Sequence, residues 1–143
     1  MRWILFWFAL LLSAAFLLIA YKPFRYQRSD PHYRWIMQRV DESRASLDRG
    51  DTSNLFIDWR QFPGPAWSHV CVVGGYENVS DVADRHNIVM SKLDRMRYSI
   101  LVSEWEAAVL IAYPDTTHRV FLLPYGYPQV RQGEAYCLDR GNV

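Results

Sequence analysis

The sequence predicts an α+β protein: an N-terminal transmembrane helix, then a small antiparallel β-meander domain with one or two packed helices. Three observations carry this. Residues 3–21, WILFWFALLLSAAFLLIAY, hold no charge, proline or glycine. As a helix rising about 1.5 Å per residue they come close to the roughly 30 Å hydrocarbon core of a bilayer. Residues 31–48 repeat apolar side chains at helical spacing, and beyond residue 97 short apolar runs alternate with turn residues, as antiparallel strands do.

The chain has 143 residues. Without the apolar head about 120 remain, enough for one domain and too few for two. Mean hydropathy is −0.15 despite that head, so the rest is polar enough for a water-soluble domain. Aromatics make up 15% of the chain, and Trp35, Trp59, Trp67 and Trp105 supply large apolar surfaces for a small core. Apart from Arg2, fifteen basic residues balance fifteen acidic ones. A neutral domain lacks the basic stripe of a nucleic-acid binder.

Residues 1–22 read as a transmembrane anchor or a signal peptide, 23–50 as a juxtamembrane segment and helix, and 51–143 as the α+β domain. Leu18-Ile19-Ala20 is a poor cleavage site, and Ser13-Ala14-Ala15 leaves a short apolar core. Trp3 and Tyr21 stand at the two ends, where amphipathic aromatics favour the interface. Both points favour the anchor. Arg2, Lys22, Arg25 and Arg28 then mark its membrane edges. Read literally, the positive charges after the span place the domain in the cytoplasm. The cysteines favour the opposite, extracytoplasmic side, periplasmic in a bacterium, and that orientation is preferred here.

Asp30 caps the helix at 31–48, and Pro31 suits its first position, where a missing N–H costs nothing. Tyr33, Ile36, Met37, Val40 and Leu47 form its apolar stripe, and Gly50 ends it. Residues 51–54 are a turn, 55–59 a short apolar element, and 61–65 (QFPGP) a loop. Val70-Cys71-Val72-Val73 reads as a central strand ended by Gly74-Gly75. The glycines lack the pattern of a phosphate-binding loop. Residues 78–87 form a short helix capped by Ser80, with Val79, Val82 and Ala83 inward; Asn78-Val79-Ser80 is a glycosylation sequon. Residues 98–105, 107–113 and 119–123 are three apolar runs. The middle one, AAVLIAY, is apolar on both faces and belongs at the centre of the sheet. The tail, 129–143, reads as loop and carries Cys137.

Cys71 and Cys137 are too far apart in sequence for a redox motif or a zinc knuckle. Either they are two buried thiols or they form a disulfide fastening the tail to the sheet. A disulfide would form only on the oxidising side of a membrane. The segment with Trp67, Val70, Cys71, Gly74 and Tyr76, followed by a late Cys, resembles small uncharacterised bacterial exported proteins and lipoproteins with a W-x-x-V-C-x-x-G-P-Y strand. Gly75 stands where that pattern has Pro, and a lipobox Cys is absent. The resemblance implies an extracytoplasmic disulfide domain and supplies no activity.

His32, His69, His86 and His118 show no metal-ligand spacing, so neither metal nor cofactor is expected. His69 and Cys71 would share a strand face, and a Cys–His nucleophile pair needs such proximity. Tyr125, Tyr127 and Pro128, in YGYP, are a candidate partner-contact loop, because aromatics dominate binding hot spots. The expectation is a membrane-anchored, extracytoplasmic protein-binding domain: an accessory subunit, an inhibitor or an immunity-type protein. The alternatives are a small enzyme with its site near His69 and Cys71, and a single-pass protein facing the cytoplasm.

Overall fold

Ala107–Ala112 is the strand the sheet is built on, because both of its faces are apolar and all six residues are buried. The computed structural model describes residues 2–25, 27–52, 57–99, 102, 106–124 and 133–142; in the N-terminal helix it describes the side chains of residues 3 and 6–17. The elements are α1 (Arg2–Arg25), α2 (Pro31–Asp48), β1 (His69–Val73), α3 (Val79–Arg85), α4 (Lys92–Arg97), β2 (Ala107–Ala112), β3 (His118–Leu123) and β4 (Ala135–Asp139). Short 3-10 turns lie at Gln27–Ser29, Trp59–Gln61 and Arg140–Asn142. The strands form an antiparallel sheet in the order β3-β2-β1-β4.

The fold class is therefore α+β with an antiparallel sheet, but its connectivity is not a meander. β2 and β3 are joined by a hairpin, and β4 then pairs with β1 at the opposite edge. Within the tail expected to be loop, Ala135–Asp139 is this fourth strand, while residues 129–132 and 143 lie outside the described residues. The strand's residues are half-buried or exposed, and its apolar run is only four residues long, AYCL, between Glu134 and Asp139. The first of the three apolar runs does not match either: Tyr98 ends α4, and Val102 is buried without joining the sheet. Residues 100, 101 and 103–105 lie outside the described residues.

Strand alternation sends Val70 and Val72 to one face of the sheet and Cys71 and Val73 to the other. On the first face lies α2, through Tyr33, Ile36 and Val40, against Val109, Ile111, Phe121 and Leu123. Trp59, Phe62 and Trp67 close the side of this layer, with Trp35 edge-on to Phe62. The QFPGP segment is a connector, as its prolines suggest, yet it delivers Phe62 to the core. On the second face lies α3, through Val79, Val82 and Ala83.

Asp30 caps α2 as expected, its carboxylate accepting from the His32 and Tyr33 amides. At the other end the Asp51 amide donates to the Ser46 carbonyl and the Gly50 amide to that of Leu47. Gly50 adopts φ +74°, which glycine tolerates without a Cβ penalty. The buried stripe of α2 ends in Ser43 and Ser46, leaving Leu47 exposed. α3 is capped by Asn78, not Ser80: the Asn78 side chain accepts from the Ser80 amide. The same Asn78 amide donates to the Ser99 carbonyl, so the sequon nitrogen is occupied. Of the turn expected at 51–54 and the element at 55–59, residues 53–56 lie outside the described residues.

α1 extends over the whole apolar segment as one helix. Among the described residues no helix is long and apolar enough to cross a membrane. The side chains described without interruption in α1, residues 6–17, cover only about 18 Å of helix.

Candidate functional site

β1 and β4 set Cys71 directly opposite Cys137, and their sulfurs are joined in a disulfide across 66 residues of chain. Both sides of this pairing are well supported. The Gly74 amide donates to the Glu134 carbonyl beyond one end, and the Arg140 amide donates to the Ser68 carbonyl beyond the other. Cys71 is fully buried. With its sulfur bonded it offers no thiolate, which removes the Cys–His nucleophile reading. His69 does share the Cys71 face, but its Nδ1 lies 3.2 Å from the Ser68 hydroxyl. With Arg85, His86 and Asp139 it borders an open cleft of about 560 Å³.

Three consecutive residues in the first half of β3 gather a second polar cluster. His118 faces α4, its Nε2 3.7 Å from an Asp94 carboxylate oxygen. Arg119 faces the other layer and binds the Asp30 carboxylate and His32 Nδ1. Val120 offers its carbonyl at the sheet edge, where the buried Gln27 side chain donates to it at 2.8 Å. The Gln27 side-chain oxygen in turn accepts from the Leu122 amide, also at 2.8 Å. One side-chain amide thus pairs with the edge strand as a peptide group would, and covers part of an otherwise open edge.

Burial of Asp30 would raise its pKa. The His32 amide, the Arg119 hydrogen bond and charge, and the Tyr33 amide together outweigh that and hold it below the usual carboxylate value. Burial pushes the Tyr113 phenol up, against the lowering effect of the same Arg119. Burial also raises the Tyr98 phenol, with the Asp94 charge adding to it.

Gln27→Ala removes both edge contacts at once. The expected cost is about 2 kcal/mol for two partly shielded hydrogen bonds, read as a lower thermal midpoint of the full chain in mild detergent. Gln27→Glu places an acceptor against the Val120 carbonyl. Its loss at neutral pH should shrink as acid protonates the new carboxyl, which a pH series of the same melts would show.

Tyr125, Tyr127 and Pro128 lie outside the described residues, and so do the side chains of Arg2, Lys22 and Arg25; Arg28 is exposed. Two exposed tyrosines, neither read from sequence as a contact residue, flank the same end of the β1–β4 pair. Tyr76, 54% exposed, follows the Gly75 carbonyl that accepts from the Gly133 amide. Tyr136 stands opposite Val72 on β4. Tyr76 also holds φ +67°, which is costly for a residue with a Cβ. Only the adjoining Gly-Gly pair hinted at such a turn. Among the described residues no group of three or more His, Cys, Asp or Glu side chains is placed to hold a metal ion. No family model, curated protein or solved structure matches this chain.

Proposed function

We propose that this is a single-pass membrane protein whose domain lies outside the cytoplasm and binds another protein at the membrane surface, as an accessory subunit, an inhibitor or an immunity-type protein. The observation that carries the reading is the outer surface of α1. Trp3, Phe6, Trp7, Phe8, Leu11 and Phe16 are 57–78% exposed and point to every side of the helix. An all-round apolar helix needs an apolar surrounding, and the domain does not supply one. Its 24 residues would rise about 36 Å, and a bilayer core is about 30 Å.

The disulfide supports the extracytoplasmic side, since cytosolic thiols are kept reduced. It weighs against the cytoplasmic orientation suggested by Lys22, Arg25 and Arg28. Tyr76 and Tyr136 supply the kind of exposed aromatic surface that interfaces favour, and we place the partner contact there.

Carbonate-resistant membrane association, together with digestion of the domain by protease added to spheroplasts, is the expected result for topology. A pull-down from solubilised membranes should recover a stoichiometric protein, and recovery of the bait alone would overturn the binding role. Tyr76→Gly separates fold from function. Relief of the positive φ should stabilise the domain by about 1 kcal/mol, while loss of the ring weakens partner recovery. A variant that is more stable and still recovers its partner fully would remove Tyr76 from the contact.

A further inference from the structure

Helix α4 is the element whose packing the domain explains least. None of its six residues is buried. Leu93 and Met96, one turn apart on the same face, are 56% and 62% exposed, and Val89 just before the helix is 65% exposed. A helix this short does not hold itself together. The flanking Met90 and Tyr98 pack into the second core layer, while α4's own residues are fixed by polar contacts: the Ser91 cap, the Arg95–Asp84 ion pair, and Asp94 beside His118. Even there, Arg97 Nε and His118 Nδ1 are buried without a hydrogen-bond partner among the described residues. An apolar strip presented outward on so light a mount is poorly accounted for by the fold alone.

Its position supplies the account. His118 touches α4, and Val120, two residues along the same edge strand, is held by Gln27. Two extended residues span about 7 Å. Gln27 is itself two residues from Arg25, the end of α1, again within about 7 Å. Gln27 also accepts from the Leu122 amide, so wherever α1 points, its exit and α4 lie along the same edge strand, with His118 two to four residues from the stretch that Gln27 holds. Lys92 is exposed and has no ion-pair partner among the described residues, and Arg28 is exposed near the exit. Exposed apolar side chains with an exposed cation, Lys92, beside them suit an interfacial contact with an anionic lipid surface.

We propose that α4 is a second membrane contact: Val89, Leu93 and Met96 enter the interfacial layer of the bilayer that holds α1, with Lys92 among the headgroups. This rests on the membrane reading of α1. The test uses the full chain with its disulfide intact, so that Met96→Cys gives a single free thiol for an environment-sensitive NBD label. Leu47→Cys is the reference, about 26 Å along α2 from the end tied to β3. Both are reconstituted into vesicles of phosphatidylcholine and phosphatidylglycerol. At position 96 the emission should shift to the blue and be quenched by lipid carrying a shallow doxyl group, more strongly than at position 47. Emission at 96 matching 47 would overturn the contact. A blue shift without lipid quenching would overturn it too, and assign the strip to a second copy of the chain. Carbonate extraction of the same vesicles keeps the two readings apart. Extraction of the protein refutes the anchor and this contact with it, whereas an integral protein with a water-exposed position 96 refutes the contact alone.

Discussion

Replacing Cys71 and Cys137 by alanine should cost the domain about 2–5 kcal/mol, seen as a lower midpoint in denaturant that reduction of the native protein reproduces. The bond closes a loop of 66 residues. In the chain-entropy account such a loop restricts the unfolded chain by about 4 kcal/mol. The native side of the balance makes the cross-link matter more here. β4 has an exposed or half-buried side chain at every position, and its apolar contribution comes chiefly from Leu138 and Ala135. It is an edge strand joined to β1 alone among the described strands. Loss should therefore be graded. Amides of β4 that pair with β1, at residues 136 and 138, should exchange with solvent well before those of β2 once the bond is broken. Uniform exchange across both strands would mean that β4 is held by packing and not by the disulfide.

Asp30→Ala should be the most damaging single polar change, at about 3 kcal/mol: roughly 1 for a helix cap and roughly 2 for a charged hydrogen bond whose partner stays half-buried. The carboxylate does two jobs. It caps α2 through the His32 and Tyr33 amides, and it holds Arg119, which also reaches His32 and lies over the Phe121 ring. Asp30→Asn keeps the cap and removes the charge, so it should fall between wild type and alanine.

The acid limb discriminates further. The Asp30 pKa is lower folded than unfolded. The unfolded state therefore binds more protons in that window, and stability rises with pH there. The contribution is complete above the ordinary carboxylate value near 4 and is lost as pH falls through the depressed folded value. The difference between wild type and Asp30→Asn should thus be largest near neutrality and shrink toward pH 3. A constant gap would show that the charge contributes nothing.

What the chain disclosed about itself follows from where each signal resides. Helix α2 was legible at both ends because its cap, its proline and its glycine are local chemistry. β2 was legible as central because a strand covered by helices on both sides must be apolar on both, and AAVLIA is. β4 was not, because its apolar run is only four residues, AYCL, and its place depends on a cysteine 66 residues away. Leu47 was misplaced because the buried stripe of α2 continues through Ser43 and Ser46, which the apolar pattern passes over, and leaves Leu47 beside it at the surface. The polar cluster at 118–120 was invisible for a related reason. Gln27, Asp30 and Asp94 carry no sign in sequence that one edge strand will collect all three. The disulfide was one of two open readings of the cysteines, and only the register of β1 against β4 closes the choice.

Gln27's grip on β3, two residues after α1 ends, also sets how far the domain can reach. A domain of about 115 residues has a radius of gyration near 13 Å. If α1 spans a bilayer as proposed, with only one residue between it and Gln27, every surface of the domain would stay within about 35 Å of the lipid. Such a domain searches in two dimensions. It meets neighbours embedded in the same membrane at a high effective concentration, so weak contacts suffice for occupancy. A target free in the surrounding fluid gains nothing from the tether. On the proposed membrane reading, the partner most readily captured would be another membrane protein, at a site close to the bilayer surface.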